Sequence, residues 1–380
     1  MIIDNKFIKN IETKKDRDIA AEVMIGFDGF VDKIYKPVKR VCNTRKEYYQ
    51  KIDKFSDRLA AAAGISCDID IDLKTIKPGG NAPLMAKALG ELNVGSNLLA
   101  PTGGYKGLFE KFIPENCNII STGIPAESII LEFKDGKVML GNTKNFEKQN
   151  WNSLKKTAEE ILVNDIINFD LIAMVNWSHF PHMTAIWSHL LDICKQKLSL
   201  DIADKNMLFV DISDPTFRPS VEIQEMLKLL SDFRDYFEVI LGLNKNEALD
   251  LGKKLLNGEK NIYRIAEFII DSGYASQVVI HPVASAILVT KNNSIRINVP
   301  PVEEPVISTG AGDNFNAGYC WARLTGFSSF RAIIIGAVTA RLYVAGGRSP
   351  SLDDIYMFIK NNKEGITIKA ISETGGFVDE

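Results

Sequence analysis

The residues best placed to do chemistry lie in "ISTGAGDNFNAG", residues 307–318, where Gly310, Ala311, Gly312 and Asp313 run straight into a helical pattern. Gly310 and Gly312 can take positive φ and bare their amides. The helix that follows adds unpaired N–H donors and the positive end of its dipole. Such a turn is built to hold an anion. Asp313 would repel that anion, so its place makes sense if it takes a proton from a group lying between the two. On spacing alone it serves equally as an acidic residue favoured at a helix N-terminus. Two familiar glycine motifs are excluded. No lysine follows Gly310 as a P-loop requires, and Phe315 stands where a dinucleotide fingerprint needs its third glycine.

The elements that must position this loop alternate. "EVMIG" reads as a strand, "RKEYYQKIDKFSDRLAAAA" as a helix, "CDIDIDL" as an alternating strand, and "PGGNAPLMAKALGELN" as a glycine turn entering an amphipathic helix. Two alternating runs flank "KDGK", with Asp135-Gly136 as a two-residue hairpin turn. From Trp151 onward, strands such as "DLIAMVN", "MLFVDIS", "FEVILGL" and "QVVIHP" alternate with helices. That rhythm implies right-handed crossovers and a mostly parallel sheet. The expected fold class is therefore α/β, doubly wound, with helices on both faces and a small inserted β-rich lid. The core is assigned to 1–35, 78–117 and 147–380, and the lid to 36–77 and 118–146.

The 380 residues are 46% hydrophobic and 24% charged with a net charge of −3, which suits a globular enzyme and gives no basic block for nucleic acid. Five scattered cysteines with no C-x-x-C pair fit free thiols in a reducing cytoplasm. No secretory signal is visible, and the apolar run "AIIIGAVTA" is too short for a bilayer. A cytoplasmic protein with no membrane partner is expected.

"STGAGDNFNAGYCWARLTG" resembles the C-terminal signature of the ribokinase-like (PfkB) carbohydrate kinase family. "GFDGFVD", "GGNAPLMAKALGELN", "NKNE" at 244–247 and "GAVTARLYVAGGRSPSLDDI" follow in the family's order, so the resemblance covers almost the whole chain. It implies a kinase moving the terminal phosphoryl group of a nucleotide to a sugar hydroxyl. A nucleoside kinase of the same fold and a binding regulator without turnover are the alternatives. In this reading Gly310, Ala311 and Gly312 form the anion hole and Asp313 is the base. Thr309 and Asn244 lie at the nucleotide, and Glu247 holds Mg²⁺ through water. Asn-x-x-Glu is also a capping box. ATP is the expected donor; "GFDGFVDKI" and "GGNAPLMA" also resemble the ADP-dependent branch, which leaves ADP open.

At the substrate end, Asp32 matches the family's sugar-binding aspartate, and a carboxylate can accept from two vicinal hydroxyls at once. Asp28 either joins it or caps the turn. Gly79 and Gly80 let backbone approach a ligand. Leu84 replaces the family's usual asparagine, and Asn81 offers a side-chain amide instead. Trp177, just after a strand, offers a face for a sugar to stack on. His179, His182 and His189 do not make a zinc set, because Pro181 breaks the spacing and no acidic or cysteine partner completes it. The turn at His281-Pro282 lacks the glycine the family often carries there. Arg218 is read either as a phosphate contact or as a surface ion pair. The family's lids often pair between subunits, which suggests a homodimer.

Overall fold

The structure, a computed structural model, describes residues 3–15, 19–43, 45–198, 206–282 and 284–371. Among them, a ten-stranded sheet forms the body. Seven strands run parallel in the order Gln277–Ile280, Glu238–Leu243, Met207–Asp211, Leu171–Val175, Val23–Gly26, Ser96–Ala100 and Cys117–Ser121. Three antiparallel strands, Ser285–Thr290, Ser294–Asn298 and Thr367–Ala370, extend one edge. The central strands are short runs of Val, Ile, Leu and Met buried along their length. That composition is required where helices cover both faces. Two apolar cores result, one on each face. Because the strands are parallel, their C-terminal ends meet on one edge, where Asp211 ends its strand and Asn176 and Asn244 directly follow theirs.

A second sheet of five strands stands over that edge. Its spine is the 13-residue strand Phe30–Cys42, paired with Arg45–Tyr48, Ile71–Gly79 and Ala126–Glu132, with Lys137–Asn142 outermost. Several sequence assignments shift. The strand Cys117–Ser121 belongs to the large sheet, so residues 118–121 lie outside the insert, and the small sheet begins at Phe30 rather than at 36. The run 45–63 is not one helix: Arg45–Tyr48 pairs as a strand and the helix is confined to Ile52–Ala60. The alternating strand falls later, at Ile71–Gly79, where it can pair with the spine. The hairpin closes with Glu132 opposite Lys137 and Phe133 N–H donating to Gly136 O (2.9 Å), which centres the turn on Lys134-Asp135.

The helix Ala311–Leu324 is buried from Asp313 to Ala322, a central rather than an amphipathic helix. It lies along Ser329–Gly346, a helix apolar and long enough by composition to cross a bilayer but half buried here against its neighbours. The two approach closely because Gly318 faces Gly336. A Cβ on Gly318 would stand 3.2 Å from Gly336 Cα and 2.8 Å from Thr339 Cβ. Backbone cannot swing aside, so Gly318→Ala is expected to cost about 1–3 kcal/mol. A lowered urea midpoint with an unchanged m-value would show it.

Candidate active site

Between the small sheet and the strand ends lies a cavity of about 900 Å³. Five carboxylates line it: Asp32, Asp211, Asp214, Glu247 and Asp313. Among the described residues no lysine or arginine does.

Asp313 sits in the first turn of the central helix behind Gly310, whose φ is 95°. Gly310 must lack a side chain twice over, since a Cβ there would also stand 2.7 Å from the Tyr343 hydroxyl. That hydroxyl donates to Thr309 O (2.9 Å) and pins the turn. Ala311 N–H turns back to Ser308 O (3.3 Å), so of the three expected anion-hole amides this one is already engaged. Burial pushes the Asp313 carboxyl well above its ordinary range, and the nearby Asp211 and Asp28 push it further. Asn81 opposes this by donating from Nδ2 to Asp313 Oδ1 (3.0 Å), while Asn81 Oδ1 accepts from Ser213 Oγ (3.0 Å). The amide is thus fixed in orientation, and Asn81 binds the carboxylate before it binds any ligand.

Asp28 resolves to the capping alternative. It accepts from Asn81 N (2.8 Å), Ala82 N (2.7 Å) and Asn176 Nδ2 (2.7 Å), holding the N-terminus of the helix Asn81–Glu91. Burial still raises it, to about 6. Asp32 instead faces the cavity, its carboxylate lying against the bare Cα of Gly79, where a Cβ would collide. Gly79 therefore acts by making room, and Gly80 and Asn81 reach the cavity wall. Burial raises Asp32, and Lys77, opposite it across the strand pair, lowers it in part.

Trp177 does not offer a face to a sugar. It is fully buried, its Nε1 donates to Thr184 Oγ1 (2.9 Å), and Arg218 lies over its ring at 4.5 Å. Arg218 is spent on the carbonyls of Trp177 and Ser178 and on Glu222 (2.8 Å), so it is an ion-paired strut and not a phosphate contact. Past the strand end, Asn176 and His179 line the cavity, and Trp177 between them is turned into the core.

Asn244 and Glu247 form the capping box of the helix Lys245–Leu255. Asn244 Oδ1 accepts from the amides of 246 and 247, and its Nδ2 donates to Glu247 Oε1 (2.6 Å), so its polar atoms are spent locally. Glu247 is buried and raised well above its usual range by that burial and by Asp211 beside it. His281 is half-buried against Phe315 at 4.9 Å and next to Gly312, its Nε2 without a hydrogen-bond partner among the described residues and its imidazole pushed down by desolvation to about 4.

Sequence reasoning missed Ser213, Asn316 and Tyr343. Asn316 Nδ2 donates to Asp211 Oδ2 (2.8 Å), and its position three after Asp313 in "DNFNAG" placed both on one helical face. Ser213 carried no such signal: its φ of 55° and its bond to Asn81 arise only when distant strands meet.

A parallel sheet with its ligand edge under a small β-sheet, and an aspartate behind a glycine turn at a buried helix, define the class of ribokinase-like carbohydrate kinases. The chain superposes on ribokinase from Thermotoga maritima with a TM-score of 0.59 and 16% identity, covering 90% of this chain and 99% of that one. Against phosphofructokinase-2 from Escherichia coli the TM-score is 0.61 at 14% identity, over 90% and 98%. Residues 13–362 match the prokaryotic ketohexokinase family model, and the chain belongs to that family. A ketohexokinase of Haloferax volcanii is 22% identical over 354 residues, 91% of this chain and 93% of that protein. The protein is a carbohydrate kinase, a phosphotransferase with an alcohol group as acceptor.

Because Asp28 satisfies three donors at once, Asp28→Ala is expected to destabilise the fold by about 2–4 kcal/mol, the sum of a lost cap and charge-assisted bonds left open. Thermal unfolding checks this.

Proposed function

We propose that the protein transfers the terminal phosphoryl group of ATP to a hydroxyl of a ketohexose, with Asp313 as general base. The observation that carries this reading is the placement of Asp313: buried, facing the cavity, and directly behind the positive-φ turn at Gly310. The family name and that of the Haloferax volcanii relative support a ketohexose as acceptor.

In the proposed step the sugar oxygen attacks the terminal phosphorus, a new P–O bond forms, and the bond to the bridging oxygen breaks to release ADP. Asp313 accepts the hydroxyl proton. Asn81, held by Ser213, keeps one carboxylate oxygen occupied and leaves the other for that proton. The helix N-terminus and the amides of Gly310 and Gly312, but not that of Ala311, face the charge on the moving phosphoryl group. Thr309 and the turn at His281 belong to the nucleotide end, and Asp32 to the sugar end.

A polyanion entering a cavity lined, among the described residues, by five carboxylates and no lysine or arginine needs cations brought with it. The residues fit Mg²⁺. Glu247 and Asp211 are buried, mutually repelling carboxylates beside the phosphate end, and Mg²⁺ held there through water would relieve both. When bound it would neutralise charge on the phosphates.

The small sheet acts as a lid, since Phe30, Asp32, Ser128 and Met139 on it line the cavity. Its outer side leaves Val41, Leu73, Ile129 and Leu140 exposed, a surface that a second copy of the chain would cover in a homodimer. The five free cysteines suit a reducing cytoplasm.

A coupled assay of ketoses, aldoses and nucleosides with Mg²⁺ and either ATP or ADP tests the reading. Asp313→Asn is expected to lower kcat about 10²–10⁴-fold while nucleotide affinity by calorimetry stays close to wild type. Wild type that binds nucleotide yet turns over no acceptor would defeat the proposal. The base works when ionised, and its folded-state pKa is raised. Therefore kcat/KM for the sugar should fall with acid through a limb lying above the ordinary carboxylate range of about 4, and Asp313→Asn should lack that limb. Chelation of divalent cations should abolish turnover, and Glu247→Gln should raise the Mg²⁺ concentration for half-maximal rate about tenfold.

A further inference from the structure

We infer that His179 reads the acceptor: its Nε2 accepts a hydrogen bond from one hydroxyl of the sugar, and a buried chain from Asp28 through Asn176 fixes the imidazole in the tautomer able to do so. The inference deepens the carbohydrate-kinase reading and rests on it.

The proton positions follow from the bonding partners. Asp28 takes the backbone donors Asn81 N and Ala82 N on its two oxygens, so it is a carboxylate that can only accept. The atom of Asn176 that meets it at 2.7 Å is therefore the Nδ2 donor. That turns Asn176 Oδ1 towards His179 Nδ1, at 2.7 Å, and an amide oxygen only accepts. Nδ1 carries the ring proton, and in the neutral ring Nε2 keeps its lone pair. The surroundings hold the imidazole below its ordinary value, so the neutral ring prevails near pH 7.

The backbone is committed to this arrangement. Asn176 has a φ of 61°, a left-handed conformation that asparagine tolerates better than most residues. His179 then stands edge-on to Phe30 with ring centroids 6.0 Å apart, and Phe30 lies two residues from Asp32 on the same strand. His179, Phe30, Asn176 and Asp32 all line the cavity. The His179 side chain is exposed to it, and among the described residues nothing hydrogen-bonds Nε2. An orienting carboxylate–amide chain that ends on a free acceptor is the arrangement by which proteins aim an imidazole at a ligand. An acceptor in a cavity that Asp214 and Asp32 also line favours O–H groups and repels a carboxylate or phosphate. The site therefore selects a neutral polyol over a sugar acid.

The test compares kcat/KM for the sugar the wild type turns over and for its monodeoxy analogues, in wild type, His179→Phe and His179→Gln. Phenylalanine keeps the ring edge against Phe30, and glutamine keeps an acceptor oxygen. One analogue is expected to lose about 10–100-fold in wild type, with that ratio falling to within about twofold in His179→Phe and partly restored in His179→Gln. Identical analogue ratios in wild type and His179→Phe would overturn the inference. Nitrogen-15 NMR of the labelled enzyme supplies a readout that needs no turnover: His179 should show a protonated Nδ1 and a bare Nε2. The opposite tautomer would overturn it. Wild type that turns over no sugar at all would overturn the function itself, and the NMR result tells that outcome apart from a misassigned histidine.

Discussion

Repulsion among buried carboxylates is the constraint around which this molecule is arranged. Asp28, Asp211, Glu247 and Asp313 are all buried within one region and raise one another's proton affinity. Among the described residues no arginine or lysine on the cavity wall offsets them. Charges left so would destabilise any fold by several kcal/mol each, so each must be met by dipoles. Helix N-termini answer Asp28 and Asp313, and asparagine amides answer all four: Asn176 and Asn81 for the first pair, Asn316 for Asp211 and Asn244 for Glu247. Amides are the fitting partner for a site that must later take a polyanion with its cations. They quench a carboxylate without pre-empting the metal, whereas an arginine would compete with it.

The doubly wound sheet makes that solution geometrically available. Seven parallel strands release their chain ends on one edge, so residues hundreds apart in sequence arrive with their amides and carboxylates pointing the same way. The link between Asn81 and Asp313 spans 232 positions. Left-handed backbone at Asn176 and Ser213, each just past a strand, turns those side chains sideways towards their partners. The local conformational cost at these two positions is offset by the two large apolar cores beneath them.

What was legible in the sequence follows from the same division. Apolar runs at strand length and helical periods announced the sheet and its crossovers, and the glycine turn before Asp313 announced itself because only glycine fits beside Tyr343. Groups whose role depends on distant partners were not legible. Trp177 looked like a stacking face just past a strand, and only the packing of Arg218 on the indole shows that it is buried while His179 lines the cavity. Asp28 and Asp32 were indistinguishable by type, and their fates separate through the helix that one of them caps. In the small sheet, propensity failed at residues 45–48, because pairing with the spine overrode a helical pattern in a charged stretch.

At the expected substrate end, Leu84 and Asn81 act together. Leu84 places an apolar side chain on the cavity wall where an asparagine is usual, and Asn81 cannot replace that amide freely because Asp313 and Ser213 already hold both of its polar atoms. A wall with Leu84 and Phe30 would grip carbon and hydrogen but leave hydroxyls unpaired, which costs about 1–3 kcal/mol for each one desolvated without a partner. In the proposed function Asp32 takes two such hydroxyls. His179, aimed by Asp28 through Asn176, supplies an acceptor for another. The carboxylate that caps the helix carrying Asn81 thus also orients the imidazole, so the proposed base and the proposed sugar contact trace back to a single buried anchor.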